Sequence, residues 1–202
     1  MAEQQIPAEL IDRLAITQVI HDWVFYRDNG KFDQLVGLFA QNGRMTTNSA
    51  SHSAAEFAAY GKTLREAGVL SHHFPGPSQI RINGDRALAE TQAMLMMRGK
   101  GGGVEADITV LLRYLDRFVR EDGSWKIEER TPVYIKDRVD AVIPGTPIPI
   151  NQELFAQGPP GCQFLIYSSR IAGAPPPPVE AITFNTPRAD ALHAASEDWL
   201  AE

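Results

Sequence analysis

VEADITVLLRYLDRFVREDGSWKIEERTPVYIKD, residues 104–137, decides the fold of this chain. A long apolar run ends near Glu121, Asp122-Gly123 supplies a tight turn, and a second run opens at Trp125. That pattern specifies a β-hairpin of two long strands. The second strand carries Arg130, a long cation where a strand facing water has no need of one.

Upstream, the alternation continues. Gln79–Ile82 and Ala87–Arg98 read as strands, separated from each other by Asn83-Gly84-Asp85 and from the 104–137 hairpin by Gly101-Gly102-Gly103. The glycine run has no helix after it, so it reads as a flexible hairpin loop and not a phosphate cradle. Further upstream the period becomes helical. Pro7 suits a first turn, and Ile16, Val19, Ile20, Trp23 and Val24 follow with helical spacing until Asn29-Gly30. Phe32, Leu35, Leu38 and Phe39 predict a short second helix closed by Gln41-Asn42-Gly43, and Met45–Thr47 a brief strand. Ser53 with Glu56 forms a capping box that opens a third helix through Phe57, Tyr60 and Leu64 to Gly68.

Three helices followed by a meander define an α+β fold, a cone-shaped barrel with helices packed on a strongly curved, mostly antiparallel sheet. A cone open at one end is a pocket. Residues 1–143 form this domain in our reading, and 144–202 form an extension that wraps the core or a partner subunit. Within the extension, Phe164–Tyr167 is expected to dock, Ala174–Pro178 to be rigid, and a capped helix to run from Thr186-Pro187 to Trp199.

The 202 residues suffice to bury a sizeable core, and the net charge of −6 argues against a nucleic-acid surface. MAEQQIPAELIDRL has no apolar run, so neither a signal peptide nor a membrane span is expected there, and a cytoplasmic location is. Cys162 is the lone cysteine, which excludes an intrachain disulfide and a cysteine zinc cage. With no His pair at metal spacing and no dinucleotide fingerprint, no metal and no organic cofactor is expected.

Three distant segments place polar groups on apolar ground. Asp28 lies four residues after Val24 and eight after Ile20, on the helix stripe that faces the core. A carboxylate at a helix C-terminus opposes the macrodipole, so stability alone does not put it there. His72 and His73 precede Phe74-Pro75-Gly76-Pro77, which is not expected to hold a regular ladder before Gln79. Adjacent strand residues point to opposite faces, so one of the two histidines can face a pocket. Arg130 shares strand parity with Lys126 and Glu128, which equally fits a solvated face, but Pro132 indicates a local bulge or edge. Tyr26, Tyr114 and Tyr134 are candidate phenolic donors, and Met94, Met96 and Met97 candidate cavity wall or core.

IHDWVFYRDNGKFDQLVGLFAQNG, HHFPGPSQIRINGDRALAE and the 104–137 hairpin together resemble the SnoaL-like branch of the nuclear-transport-factor-2-like superfamily, over roughly residues 10–140. Scytalone dehydratase and hexachlorocyclohexane dehydrochlorinase share that fold. The resemblance implies a His–Asp dyad that removes a proton beside a departing group, with an arginine assisting the departing anion. By motif position the carboxylate is Asp28, the arginine Arg130, and the base His73 or His72. Pro75-Gly76-Pro77 departs from the family pattern, where asparagine is often found, as does the long C-terminal extension.

A neutral imidazole accepts a proton at cellular pH, a carboxylate fixes its tautomer, and a permanent cation stabilises an oxyanion. The expected activity is therefore a cofactor-independent lyase, eliminating water or cleaving a C–C bond as in deformylation. Its expected partner is a hydrophobic cyclic or aromatic small molecule. A ketosteroid-style isomerase with Asp28 as base, and a non-catalytic assembly subunit, are the alternatives. A homodimer or homotrimer is expected to pair through the outer sheet face, carrying either Ile108, Val110 and Leu112 or their neighbours Leu111 and Leu115.

Overall fold

The computed structural model describes residues 7–48, 50–101, 103–171, 173, 176–177 and 180–202. The chain runs α1 (Ala8–Asp28), α2 (Phe32–Val36), β1 (Phe39–Thr46), β2 (Ser51–Ser53), α3 (Ala54–Glu66), β3 (Leu70–Asn83), β4 (Arg86–Gly101), β5 (Val104–Glu121) and β6 (Ser124–Ala141). Three helices complete it: α4 (Gln152–Phe155), α5 (Gln163–Ile171) and α6 (Pro187–Ala201). The six strands form one sheet in the order β2-β1-β6-β5-β4-β3, antiparallel throughout except for β1 against β6. Helices and a curled, mostly antiparallel sheet make this the α+β cone expected from the element order.

The local devices are those the sequence specifies. Asp122 and Gly123 both take positive φ (50° and 76°), the backbone a two-residue hairpin turn needs between β5 and β6. Ser53 caps α3 with its hydroxyl accepting from the Glu56 N–H, and Glu56 reaches back to the Ser53 N–H at 2.8 Å. Thr186 caps α6, with Pro187 in its first turn.

Three boundaries differ from the sequence reading. Phe39 begins β1 instead of ending a helix, and Gln41-Asn42-Gly43 lies inside that strand, whose register against β6 shifts between Phe39 and Arg44. Gly43 is required there: a Cβ would sit 2.7 Å from the Ile127 carbonyl oxygen. β3 begins at Leu70, nine residues before Gln79, because the strand absorbs Pro75-Gly76-Pro77 as an irregularity between Pro75 and Ser78. Phe164–Tyr167 docks as part of a helix, with Leu165, Ile166 and Tyr167 buried. The rigid stretch expected at Ala174–Pro178 and the middle of the glycine run lie in part outside the described residues.

α1 lays the stripe Ile16, Ile20, Trp23 and Arg27 against the concave face of the sheet, at i, i+4, i+7 and i+11. The strand residues facing it from β5 include Val110, Leu112, Tyr114 and Phe118, and from β4 Ala87, Ala89 and Ala93. The outer-face assignment therefore splits. Ile108, Val110 and Leu112 face inward, whereas Leu111 and Leu115 lie on the convex face. α6 packs across that convex face, where Ser196 accepts from Arg117, the Leu200 carbonyl accepts from Asn83, and Glu197 pairs with Arg81. Residues 182–184 run beside β6 where β1 has ended, with Tyr134 N–H donating to the Ile182 carbonyl at 2.9 Å. Much of the apolar surface expected to meet a second copy is thus covered by the chain's own extension.

Candidate active site

The concave side of the sheet encloses a cavity of about 630 Å³, within the size range of small-molecule sites. Its wall is largely apolar, with Trp23, Phe57, Leu95, Met97, Ile108 and Tyr114 among the lining residues. α5 forms part of it through Leu165, Ser168 and Ser169, so the extension helps to build the cavity. The α5 N-terminus is tied to the rim by Asp137 of β6, whose carboxylate accepts from the Leu165 N–H at 2.8 Å.

Strand parity separates the two histidines. His73 pairs with Leu95 across β3 and β4 and enters the cavity, while His72 pairs with Met96 on the opposite face. The His72 side chain is 75% exposed, that of His73 8%. Asp28 reaches His73 from the last turn of α1 and holds it twice. Oδ1 lies 2.7 Å from ring Nδ1, and Oδ2 accepts from the His73 backbone N–H at 2.7 Å. His72 Nδ1 stands 3.8 Å from the same carboxylate.

A carboxylate bonded to Nδ1 fixes the proton there and leaves Nε2 with its lone pair free. The ring is gripped edge-on by Trp23, centroid to centroid 5.2 Å. Burial lowers the His73 pKa from its ordinary value, and the nearby charges of Arg27 and Arg130 lower it further, against the opposing pull of Asp28. That shift favours the neutral imidazole, the state a base needs.

Arg130 sits one layer below. Its side chain is wholly buried and forked onto Asp116, Nε and Nη2 each donating to a carboxylate oxygen at 2.7 Å. The guanidinium stacks under Trp23 (4.5 Å) and Tyr114 (4.8 Å), and Nη1 has no partner among the described residues. It does not line the cavity, contrary to its expected place beside the departing group. A β-bulge explains how it turned inward. Between the pairs Arg117↔Glu129 and Phe118↔Ile127, Glu128 is an extra residue, so Arg130 joins the Ile127 face instead of the Lys126 face.

Of the other candidates, Tyr114 and Tyr134 line the cavity, and burial pushes both phenols well above their ordinary pKa. They are neutral hydroxyls. Tyr26 is half-buried against the core and Met96 is on the convex face, so neither reaches the cavity; Leu95 and Met97 occupy the wall in place of Met96. Cys162 is buried with its thiol pushed up to about 12, an inert packing residue.

Two residues were missed. Asp116 continues the inward stripe Leu112, Tyr114, Phe118 of β5, and a charge on that parity was the available signal. Arg27 continues the α1 stripe of Ile16, Ile20 and Trp23, and it lines the cavity 9% exposed. No cluster of potential metal ligands occurs among the described residues. No described helix is long and apolar enough to cross a membrane.

The fold and the cavity on its concave face define a class of small α+β cones built around an internal cavity. The SnoaL-like domain family matches residues 8–131, more than half of the chain, and the chain belongs to that family. Pea pathogenicity protein 2 of Fusarium vanettenii is 26% identical over 165 residues, spanning 80% of this chain and 71% of that protein. A putative scytalone dehydratase of Novosphingobium aromaticivorans superposes with TM-score 0.53 at 19% identity, over 71% of this chain and 97% of that one. A type-3 hexachlorocyclohexane dehydrochlorinase of Novosphingobium barchaimii gives TM-score 0.58 at 16% identity, over 69% and 97%. Identities this low establish a shared fold.

Proposed function

We propose that this protein is a cofactor-independent lyase acting on a hydrophobic cyclic or aromatic small molecule. The observation that carries the reading is the Asp28–His73 pair, doubly bonded at 2.7 Å and set in the wall of an apolar cavity. His73 Nε2 takes a proton from a substrate carbon. The C–H electron pair becomes the new π bond, and the leaving group departs from the adjacent carbon with its bonding pair. Asp28 stabilises the imidazolium so formed, as the orienting carboxylate does in hydrolytic triads. The solved relatives above are named for loss of water and loss of hydrogen chloride, both eliminations, which agrees with this chemistry.

Arg130 acts in this scheme as a positioning residue. Its charge, held by Asp116 beneath Trp23 and Tyr114, favours the neutral form of His73 and braces the aromatic floor. Isomerisation with Asp28 as the base fits less well, because both carboxylate oxygens are engaged by His73 and the side chain is 4% exposed.

The test is conversion of a panel of cyclic β-hydroxy ketones and chlorinated cyclohexanes, followed by mass spectrometry. Wild type is expected to release water or hydrogen chloride and the His73→Ala variant to release neither. A product of unchanged mass would identify an isomerase. Binding without any conversion would identify a binding module.

A further inference from the structure

Arg27 is a buried cation with no anion bonded to it among the described residues. Its side chain is nine-tenths buried in the last turn of α1, and its Nε is enclosed with no partner. It donates no hydrogen bond and makes no ion pair with any described residue. Its close neighbours are the Phe57 ring, 5.6 Å from Cζ, and Gly61 of α3, where an added Cβ would stand 3.3 Å from Cζ; the Asp28 carboxylate, engaged by His73, attracts it through space without bonding it. Burial disfavours its charged form and lowers the Arg27 pKa from its ordinary value, against the pull of Asp28.

The cavity offers it no counter-charge. Among the described lining residues there is no carboxylate, and the other arginine there, Arg98, is forked onto Asp107 at 2.7 Å through both nitrogens. His73, Trp23, Phe57 and Arg27 follow one another along a single wall. The His73–Trp23 centroids are 5.2 Å apart and the Trp23–Phe57 centroids 5.8 Å. A flat ring in the cavity, bounded by Trp23 and Phe57, would present one end to His73 and the other to the guanidinium fork, whose planar donors match a carboxylate.

We propose that Arg27 is the anion-recognition residue of this cavity and that the ligand is a ring compound bearing a carboxylate. This deepens the reading of the cavity as the substrate site and does not require the elimination chemistry.

The test compares 2-naphthoate with 2-acetonaphthone, a neutral probe of the same ring, by isothermal titration calorimetry on the full chain. Wild type is expected to bind the carboxylate tighter by about 10- to 100-fold, as a charge-assisted bond to a buried cation gives. Arg27→Gln should reduce that ratio to near one while leaving the ketone affinity unchanged, and Arg27→Lys should keep part of it. His73→Ala should leave the ratio intact, so the two readings fail separately. Turnover that survives His73→Ala sinks the lyase and not the anion site. Equal affinities in wild type, a preference surviving Arg27→Gln, or no binding of either probe at millimolar concentration overturns the inference.

Discussion

Asp28 holds His73 at two points, the ring through Oδ1 and the backbone N–H through Oδ2, each at 2.7 Å. The carboxylate thereby fixes both the tautomer of the imidazole and the path of β3 at the cavity wall. Asp28→Asn keeps a group of the same size. Its amide can still accept from one of the two N–H groups, but its NH₂ facing Nδ1 would drive the imidazole to the wrong tautomer. Steady-state kinetics should show kcat reduced by at least about 100-fold, within the range of general-base effects. Thermal unfolding should change little by comparison.

The acid limb of the pH–rate profile should lie below the ordinary histidine value of 6.5, because burial lowers the His73 pKa. Activity should rise as pH passes upward through that limb and level off above it. The same shift acts on stability. His73 binds a proton more readily in the unfolded chain, so its contribution is complete above about 6.5 and is lost as pH falls toward the folded-state value. Denaturant titrations at stepped pH check the second part.

Arg130 and Asp116 form a wholly buried pair, so the double replacement should cost much less than the single one. Arg130→Met strands a buried carboxylate and should cost about 3–5 kcal/mol, while Arg130→Met with Asp116→Leu should recover most of it. Chemical denaturation measures both. If the double variant folds, its acid limb should move upward, because the charge that disfavours the imidazolium is gone; a bracing role alone would leave the limb in place.

Gly61→Ala approaches the site from behind. The new Cβ would meet Phe32 Cε1 at 3.0 Å and Arg27 Cζ at 3.3 Å, so Arg27 must shift. Carboxylate binding should weaken several-fold while ketone binding holds, measured by the same calorimetry.

Removing residues 180–202 uncovers Leu115 and the convex face that α6 and the 182–184 segment occupy. Light scattering should then show larger species than for the full chain. An unchanged mass would mean that the face needs no cover.

The helix order, the meander, the Asp122-Gly123 turn and the α3 capping box were all legible, because each rests on local chemistry and a constant period. The Asp28 and His73 positions were legible too, as polar residues on apolar parity, although the choice between His73 and His72 required the β3–β4 register. What the sequence could not place residue by residue came from breaks in period. One extra residue at Glu128 turned Arg130 inward, and the Pro75-Gly76-Pro77 irregularity let β3 run on to Leu70. Arg27 was overlooked for a different reason. It occupies a core stripe that long apolar residues normally fill, and only the cavity beside Trp23 gives a cation cause to be there.

The central claim is that His73, on the inward face, is the base and that His72, its neighbour on the outward face, is not. Turnover of His73→Ala and His72→Ala on the same converted substrate measures this directly. The account predicts a loss of about 10²–10⁴-fold for His73→Ala and a rate within a few-fold of wild type for His72→Ala. Near-wild-type turnover by His73→Ala, or a larger loss in His72→Ala, would contradict it.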